Sequence, residues 1–198
     1  MKIVRENDRG KALCDKCGLV TTTFKLRDVP FDDDSGIAKK ILAGVCDKCH
    51  AVVSIPHQST PQIKVEYDKA KRPIEARVPA HFIDTLNLAR VKIDKDVSPE
   101  FYRSMILYYV HGMYSGHIKS SDLKKLLNSE FAQSISSKRL SIKVNRSKER
   151  EFISVVEKAK LENTSDLLKG IIIKIYNDIL QKDNSKHLAA LKRSAAIF

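Results

Sequence analysis

The 198-residue chain has no tryptophan, three methionines and only seven glycines, and aromatic residues make up 7% of it. With so few glycines, no glycine-rich loop exists to cradle a phosphate, and no G-x-S-x-G turn exists to present a nucleophilic serine. Its six histidines, His50, His57, His81, His111, His117 and His187, never occur as two histidines four apart around a glutamate, and none accompanies a nucleophile motif. These absences remove the usual signatures of catalysis, and the expectation is a protein that is not an enzyme. Long apolar runs are missing as well. Nothing approaches the roughly 18 residues that cross a bilayer, and Met1-Lys2-Ile3-Val4-Arg5-Glu6 lacks the apolar core of a signal peptide, so the expected compartment is the cytoplasm. Acidic charge is also scarce: 24 Asp and Glu face 36 Lys and Arg, a net charge of +12. Residues 121–198 hold most of the surplus, with 16 basic residues against 9 acidic ones. A surplus of this size favours a polyanion or an acidic protein surface as partner, and also keeps a chain soluble.

Cysteine is rare but ordered. All four occur in two similar tetrapeptides, Cys14-Asp15-Lys16-Cys17 and Cys46-Asp47-Lys48-Cys49, with 28 residues between them. A two-residue gap turns both thiolates of a pair toward one point, and two such knuckles supply the four ligands of a tetrahedral zinc ion. Gly18 after the first pair permits the tight turn. The alternatives are a redox dithiol or two disulfides. A redox motif would occur once, between a strand and a helix, and disulfides do not suit a reducing cytoplasm, so one zinc bound by Cys14, Cys17, Cys46 and Cys49 is the preferred reading. Four thiolates leave no position open for water, which makes the expected site structural. His50 could replace Cys49, but four thiols already complete the shell. Leu19–Leu26 and Ala51–Ile55 read as strands, with a turn at 30–36. The segment resembles a zinc ribbon over roughly residues 10–57. Below about 60 residues such a unit has little core and depends on its metal to fold.

The remainder contains one pattern written twice. At an offset of 66, Phe101, Met105, Ile106, Tyr109 and Met113 correspond to Leu167, Ile171, Ile172, Ile175 and Ile179, apolar series with helical period. Ahead of each lies a shorter helical pattern (Phe82, Leu86, Ala89; Phe152, Val155, Val156, Ala159) and a segment that alternates with period two: Ile74-Glu75-Ala76-Arg77-Val78 and Leu140-Ser141-Ile142-Lys143-Val144. Ser98 and Asn163-Thr164-Ser165 are caps for the second helices. Between the copies, Leu123, Leu126 and Leu127 mark a short linker helix opened by Ser120 or Ser121. The Tyr102, Tyr108, Tyr109 and Tyr114 cluster reads as helix packing, and Asp32-Asp33-Asp34 as a solvated loop. Ser185–Phe198 reads as a terminal helix docked on the core, a partner-binding element or a frayed end.

Strand, helix, helix with these caps resembles the ribbon-helix-helix superfamily, in which two chains pair their strands into a ribbon that enters the DNA major groove. Here one chain carries both halves, so the resemblance implies a monomeric pseudo-dimer. A generic helical bundle, with both alternating segments in loops, is the alternative. The resulting organisation is α+β and mainly helical: a zinc ribbon at 1–60, a first unit at 61–116, a helical linker at 117–137, a second unit at 138–184 and a tail at 185–198.

If the ribbon reads DNA, its outward face supplies Arg77 from the first strand and Arg139, Ser141, Lys143 and Asn145 from the second, with Asn163, Thr164 and Ser165 holding phosphate at a helix start. Pro73 and Glu75 spoil the first strand, since a carboxylate repels phosphate and proline weakens the ladder. Either the site is asymmetric, or the scaffold has been turned from DNA to a protein surface. The order of zinc ribbon then tandem repeat looks similar to phage-encoded proteins that bind the sigma subunit of bacterial RNA polymerase. That resemblance implies a modulator or inhibitor of host transcription in the host cytoplasm. A self-sufficient operator-binding repressor is the next reading, and an antitoxin-like module the third.

Overall fold

The computed structural model describes residues 3–135, 137–182 and 185–198. Ser136 in the linker, Asp183 and Asn184 at the end of the second repeat, and Met1-Lys2 lie outside the described residues. The chain divides into two compact units, Met1–Lys71 and Arg72–Phe198, and the architecture is mixed α+β.

In the first unit β1 (Arg9–Cys14), β2 (Gly18–Pro30), β3 (Ile37–Cys46) and β4 (Val52–Ser54) form one antiparallel sheet in sequential order. The expected strands at 19–26 and 51–55 lie within β2 and around β4. β1 and β3 were not anticipated: β1, Arg-Gly-Lys-Ala-Leu-Cys, has little β-branched character to mark it. Helix α1 (Thr60–Ala70) follows, with a proline in its first turn. It packs on β3, beside the hydrogen bond from Ser59 Oγ to the Leu42 carbonyl (2.9 Å), and Tyr67 donates to Asp33 Oδ2 (2.9 Å). Residues 61–71 therefore fall in the first compact unit, and not with the first repeat as the sequence pattern suggests. α1 buries no residue, so no apolar stripe advertises it.

The second unit opens with β5 (Arg72–Val78) and α2 (Ala80–Ile93). A single 3-10 turn, Pro99–Phe101, leads into α3 (Tyr102–Tyr114). After α4 (Leu123–Leu127) the order repeats as β6 (Lys138–Val144), α5 (Arg146–Lys158) and α6 (Thr164–Ile175). A π-helical stretch, Tyr176–Gln181, extends α6, and α7 (Ser185–Ala195) ends the chain. Ser98 Oγ accepts from Glu100 N, Asn145 Oδ1 from Lys148 N and Asn163 Oδ1 from Asp166 N, so each side chain satisfies an N–H that its helix leaves free.

β5 and β6 pair with each other, antiparallel and in continuous register from Arg72↔Val144 to Val78↔Lys138. Their burial alternates identically along the two strands. Ile74, Ala76, Val78, Leu140, Ile142 and Val144 form the buried face against the helices. The register carries a local two-fold relation. Glu75 faces Ser141, its own counterpart at the offset of 66, and exchanging the strands turns the pair Ile74↔Ile142 into Ala76↔Leu140. Hydroxyls from the two second helices approach the two equivalent carbonyls, though from positions that do not correspond at the offset of 66: Ser165 Oγ donates to Glu75 O (3.1 Å) and Tyr102 Oη to Ser141 O (3.5 Å).

All ten residues of the two second-helix series are at most 2% exposed, each large one contributing about 1.5–3 kcal/mol by leaving water. The linker helix α4 begins after Asp122, without a side-chain cap; Ser120 offers only its carbonyl, to Leu123 N (3.2 Å). Leu123 seats over Gly170 of α6, where a β-carbon would lie 3.2 Å from Leu123 Cδ2. α7 docks on the core through buried Leu191, and Phe198 meets the ring of Phe101 edge-on at 5.3 Å.

Candidate metal centre and ribbon face

The β1–β2 hairpin turn carries Cys14 and Cys17, and the turn after β3 carries Cys46 and Cys49. The two turns bring all four Sγ atoms within 4.8 Å of one another. Cys14 and Cys46 are buried, Cys17 is partly buried and Cys49 reaches the surface. Cys14 and Cys49 lie 3.6 Å apart, far longer than the roughly 2 Å of a disulfide and close to the separation of thiolates around one tetrahedral ion with bonds of about 2.3 Å. Backbone N–H groups of Cys49 and Lys48 donate to Cys46 Sγ (3.5 and 3.4 Å) and draw that thiol down to about 7. Cys17, hydrogen-bonded to Cys49 and partly desolvated, is pushed up to about 12. Four thiolates together need a cation, and this donor set, soft and closed, fits a metal ion. His50 does not join it. The cluster of possible ligands comprises the four cysteines, and His50 is exposed with φ of 59°. Gly18 occupies the same place after the other knuckle with φ of 72°, so the pair Gly18/His50 marks the two left-handed turn positions.

The expected DNA-reading residues divide. Arg77, Arg139, Ser141 and Lys143 share the outward face of the β5–β6 ribbon, with Arg77 opposite Arg139 and Pro73 opposite Lys143. Asn145 does not share it: the strand ends at Val144, and the asparagine side chain accepts from the Lys148 N–H in the first turn of α5. Asn163 likewise caps α6, Thr164 is the first residue of that helix, and the Ser165 hydroxyl is engaged by the Glu75 carbonyl. At the centre of the face, Arg139 Nη2 donates to Glu75 Oε1 (2.6 Å), and Ser141 Oγ donates to the same oxygen (3.1 Å). The arginine hydrogen bond, followed by that of the serine, holds the Glu75 carboxyl below the usual carboxylate range against the opposing effect of burial. No local pattern around Glu75 names Arg139 as its partner, 64 residues away. Residue 139 is the diagonal neighbour of 75 in the two-fold register, and such neighbours are within reach of long side chains.

One polar cluster inside the second unit has no sequence signal at all. Asp178, in the π-helical stretch, accepts from Tyr109 Oη (3.3 Å), and Lys174 Nζ lies 3.3 Å from it. His187 of α7 stands 3.9 Å from Asp178 and hydrogen-bonds Tyr108 Oη (3.0 Å). Burial raises both tyrosines and lowers His187. The cluster fastens α7 to α3.

Among the described residues no helix is long and apolar enough to cross a membrane. Comparison with family models, curated proteins and solved structures gives no match.

Proposed function

We propose that the chain is a transcription regulator: a ribbon held by one structural zinc ion, followed by a single-chain ribbon-helix-helix core that acts as a monomer. The target that its domain order favours is the sigma subunit of bacterial RNA polymerase, as a phage-encoded modulator or inhibitor in the host cytoplasm would require. The observation that carries this choice of a protein target is the Glu75–Arg139 ion pair, which fills the middle of the ribbon face with a contact internal to the protein. A carboxylate there repels a phosphate backbone and leaves Arg139 less free to read a guanine. For the metal, a closed shell of four thiolates suits zinc, which imposes no geometry beyond tetrahedral and does no redox chemistry.

Capture from bacterial lysate, with and without nuclease, tests the target. Recovery of polymerase after nuclease supports it, and loss of every partner after nuclease overturns it. The operator-binding alternative draws on a different observation. Arg77 and Lys143 occupy two-fold-related places on the exposed face, the arrangement a two-fold symmetric duplex site requires. On that reading Lys143→Ala costs specific affinity by about 1–3 kcal/mol and flattens the salt dependence. On the protein-target reading it leaves polymerase capture intact.

A further inference from the structure

Of the six outward positions of the ribbon, the central pair decides what the face presents. On the two-fold relation Glu75 and Ser141 are equivalent, yet one is a carboxylate and the other a hydroxyl. The difference is not passive. Glu75 Oε1 receives both the Arg139 guanidinium and the Ser141 hydroxyl, so one side chain neutralises one of three exposed cations on this face and occupies the hydroxyl of Ser141. Arg77 and Lys143 then stand on either side of a neutralised centre. Arg139 is still largely exposed, with 73% of its side chain accessible, so it is held by the carboxylate and not by packing.

We propose that Glu75 is a specificity-determining residue that keeps this ribbon off nucleic acid, and that the underlying face retains a latent capacity for duplex DNA. The proposal rests on the protein-target reading above and goes further by assigning the discrimination to one side chain. Like-charge repulsion against a wrong partner is an effective route to specificity, because it costs the intended partner nothing where that partner is not anionic. Replacing Glu75 with the residue type of its two-fold mate removes the repulsion and frees Arg139 together with Ser141. The strand backbone is untouched, since the Ser165 bond goes to the Glu75 carbonyl and not to its carboxylate.

The test is binding of a fluorescent random-sequence 30-base-pair duplex, by anisotropy over a salt series, to the full metal-loaded protein and to Glu75→Ser. The unmodified protein binds weakly. Glu75→Ser tightens binding about tenfold at low salt and steepens the salt dependence by about one counterion, as one further phosphate contact requires. Adding Arg139→Ala to Glu75→Ser erases the gain, whereas adding Lys192→Ala, which lowers the net charge equally from an exposed position on α7, leaves most of it. Equal erasure by both would assign the gain to net charge and overturn the proposal. Circular dichroism confirms that the variants are folded. Equal weak binding by the unmodified protein and Glu75→Ser overturns the assignment to Glu75 while leaving the protein-target reading in place, which nuclease-resistant capture tests separately. Tight binding by the unmodified protein overturns both.

Discussion

At His50 a β-carbon sits in a conformation that Gly18 adopts freely. Both residues follow the second cysteine of a knuckle, both have positive φ, and the backbone N–H of His50 closes its turn onto the Cys46 carbonyl (2.9 Å). For an L-residue the left-handed region costs roughly 1–2 kcal/mol, and glycine returns part of that through its greater freedom in the unfolded chain. His50→Gly should therefore stabilise the metal-loaded first unit by up to about 1 kcal/mol. His50→Ala, which keeps the β-carbon, should give no gain. Denaturant midpoints of the two variants measure the difference, and equal midpoints would show that the turn relaxes without cost. The spacing of the cysteines made the donor set legible, because two residues between thiols is a chemical requirement of the turn. The role of His50 was hidden, since a histidine beside a cysteine draws attention to its imidazole, and the structure uses only its backbone.

Among the elements, the β5–β6 ribbon is held by its buried alternation on one face and by Glu75 on the other. Arg139 holds the Glu75 carboxyl below its ordinary value of 4.5. A depressed carboxylate pKa contributes stability that is present above the unfolded value and lost as pH falls through the folded one. Glu75→Gln should accordingly be less stable than the unmodified protein at neutral pH. The gap should narrow as pH falls below the ordinary carboxylate range and close once the folded carboxyl is itself protonated. Urea titrations at neutral and acid pH check this, and a gap that persists at acid pH would assign the effect to packing. The strands were readable from Ile74-Glu75-Ala76-Arg77-Val78 and Leu140-Ser141-Ile142-Lys143-Val144 because one face is buried and the other wet, which forces period two. α1 and the π-helical stretch after α6 were not. α1 presents no buried residue, and the inward turn of Asp178 depends on tertiary partners, Tyr109 and Lys174, that no local pattern encodes. A matching prediction concerns α6. Ile172 is wholly buried, so Ile172→Asp places an unpaired charge in the core and should cost more than about 4 kcal/mol or prevent folding of the second unit, as thermal melts would show.

For the whole molecule, the two units differ in what their cores are made of, and if the four cysteines hold the proposed metal, removing it should separate them. In Met1–Lys71 the cluster beside the knuckles consists of Cys14, Val20 and Cys46 with Cys17 and Val53 against it, so sulfur atoms form much of that core. In Arg72–Phe198 the core runs from Ile74 to Ala195 and includes Phe82, Phe101, Tyr109 and Phe152. A core of that extent folds on apolar burial alone, whereas a cluster of thiols without a cation must keep protons on its sulfurs and gives up the binding energy, about 10–16 kcal/mol for structural zinc at neutral pH. Acid should act like a chelator, because protons compete for the same sulfurs. The expected outcome of chelation is loss of amide protection in β1–β3 with protection of α3 and α6 unchanged, followed by a separate thermal transition of the helical unit. Elemental analysis of freshly purified, reduced protein should find one zinc per chain, and less than half an equivalent would remove the premise. Hydrogen exchange in which β1–β3 stay protected after the metal is stripped would mean that the sheet holds itself, and loss of α3 and α6 at the same step would mean that the units fold as one.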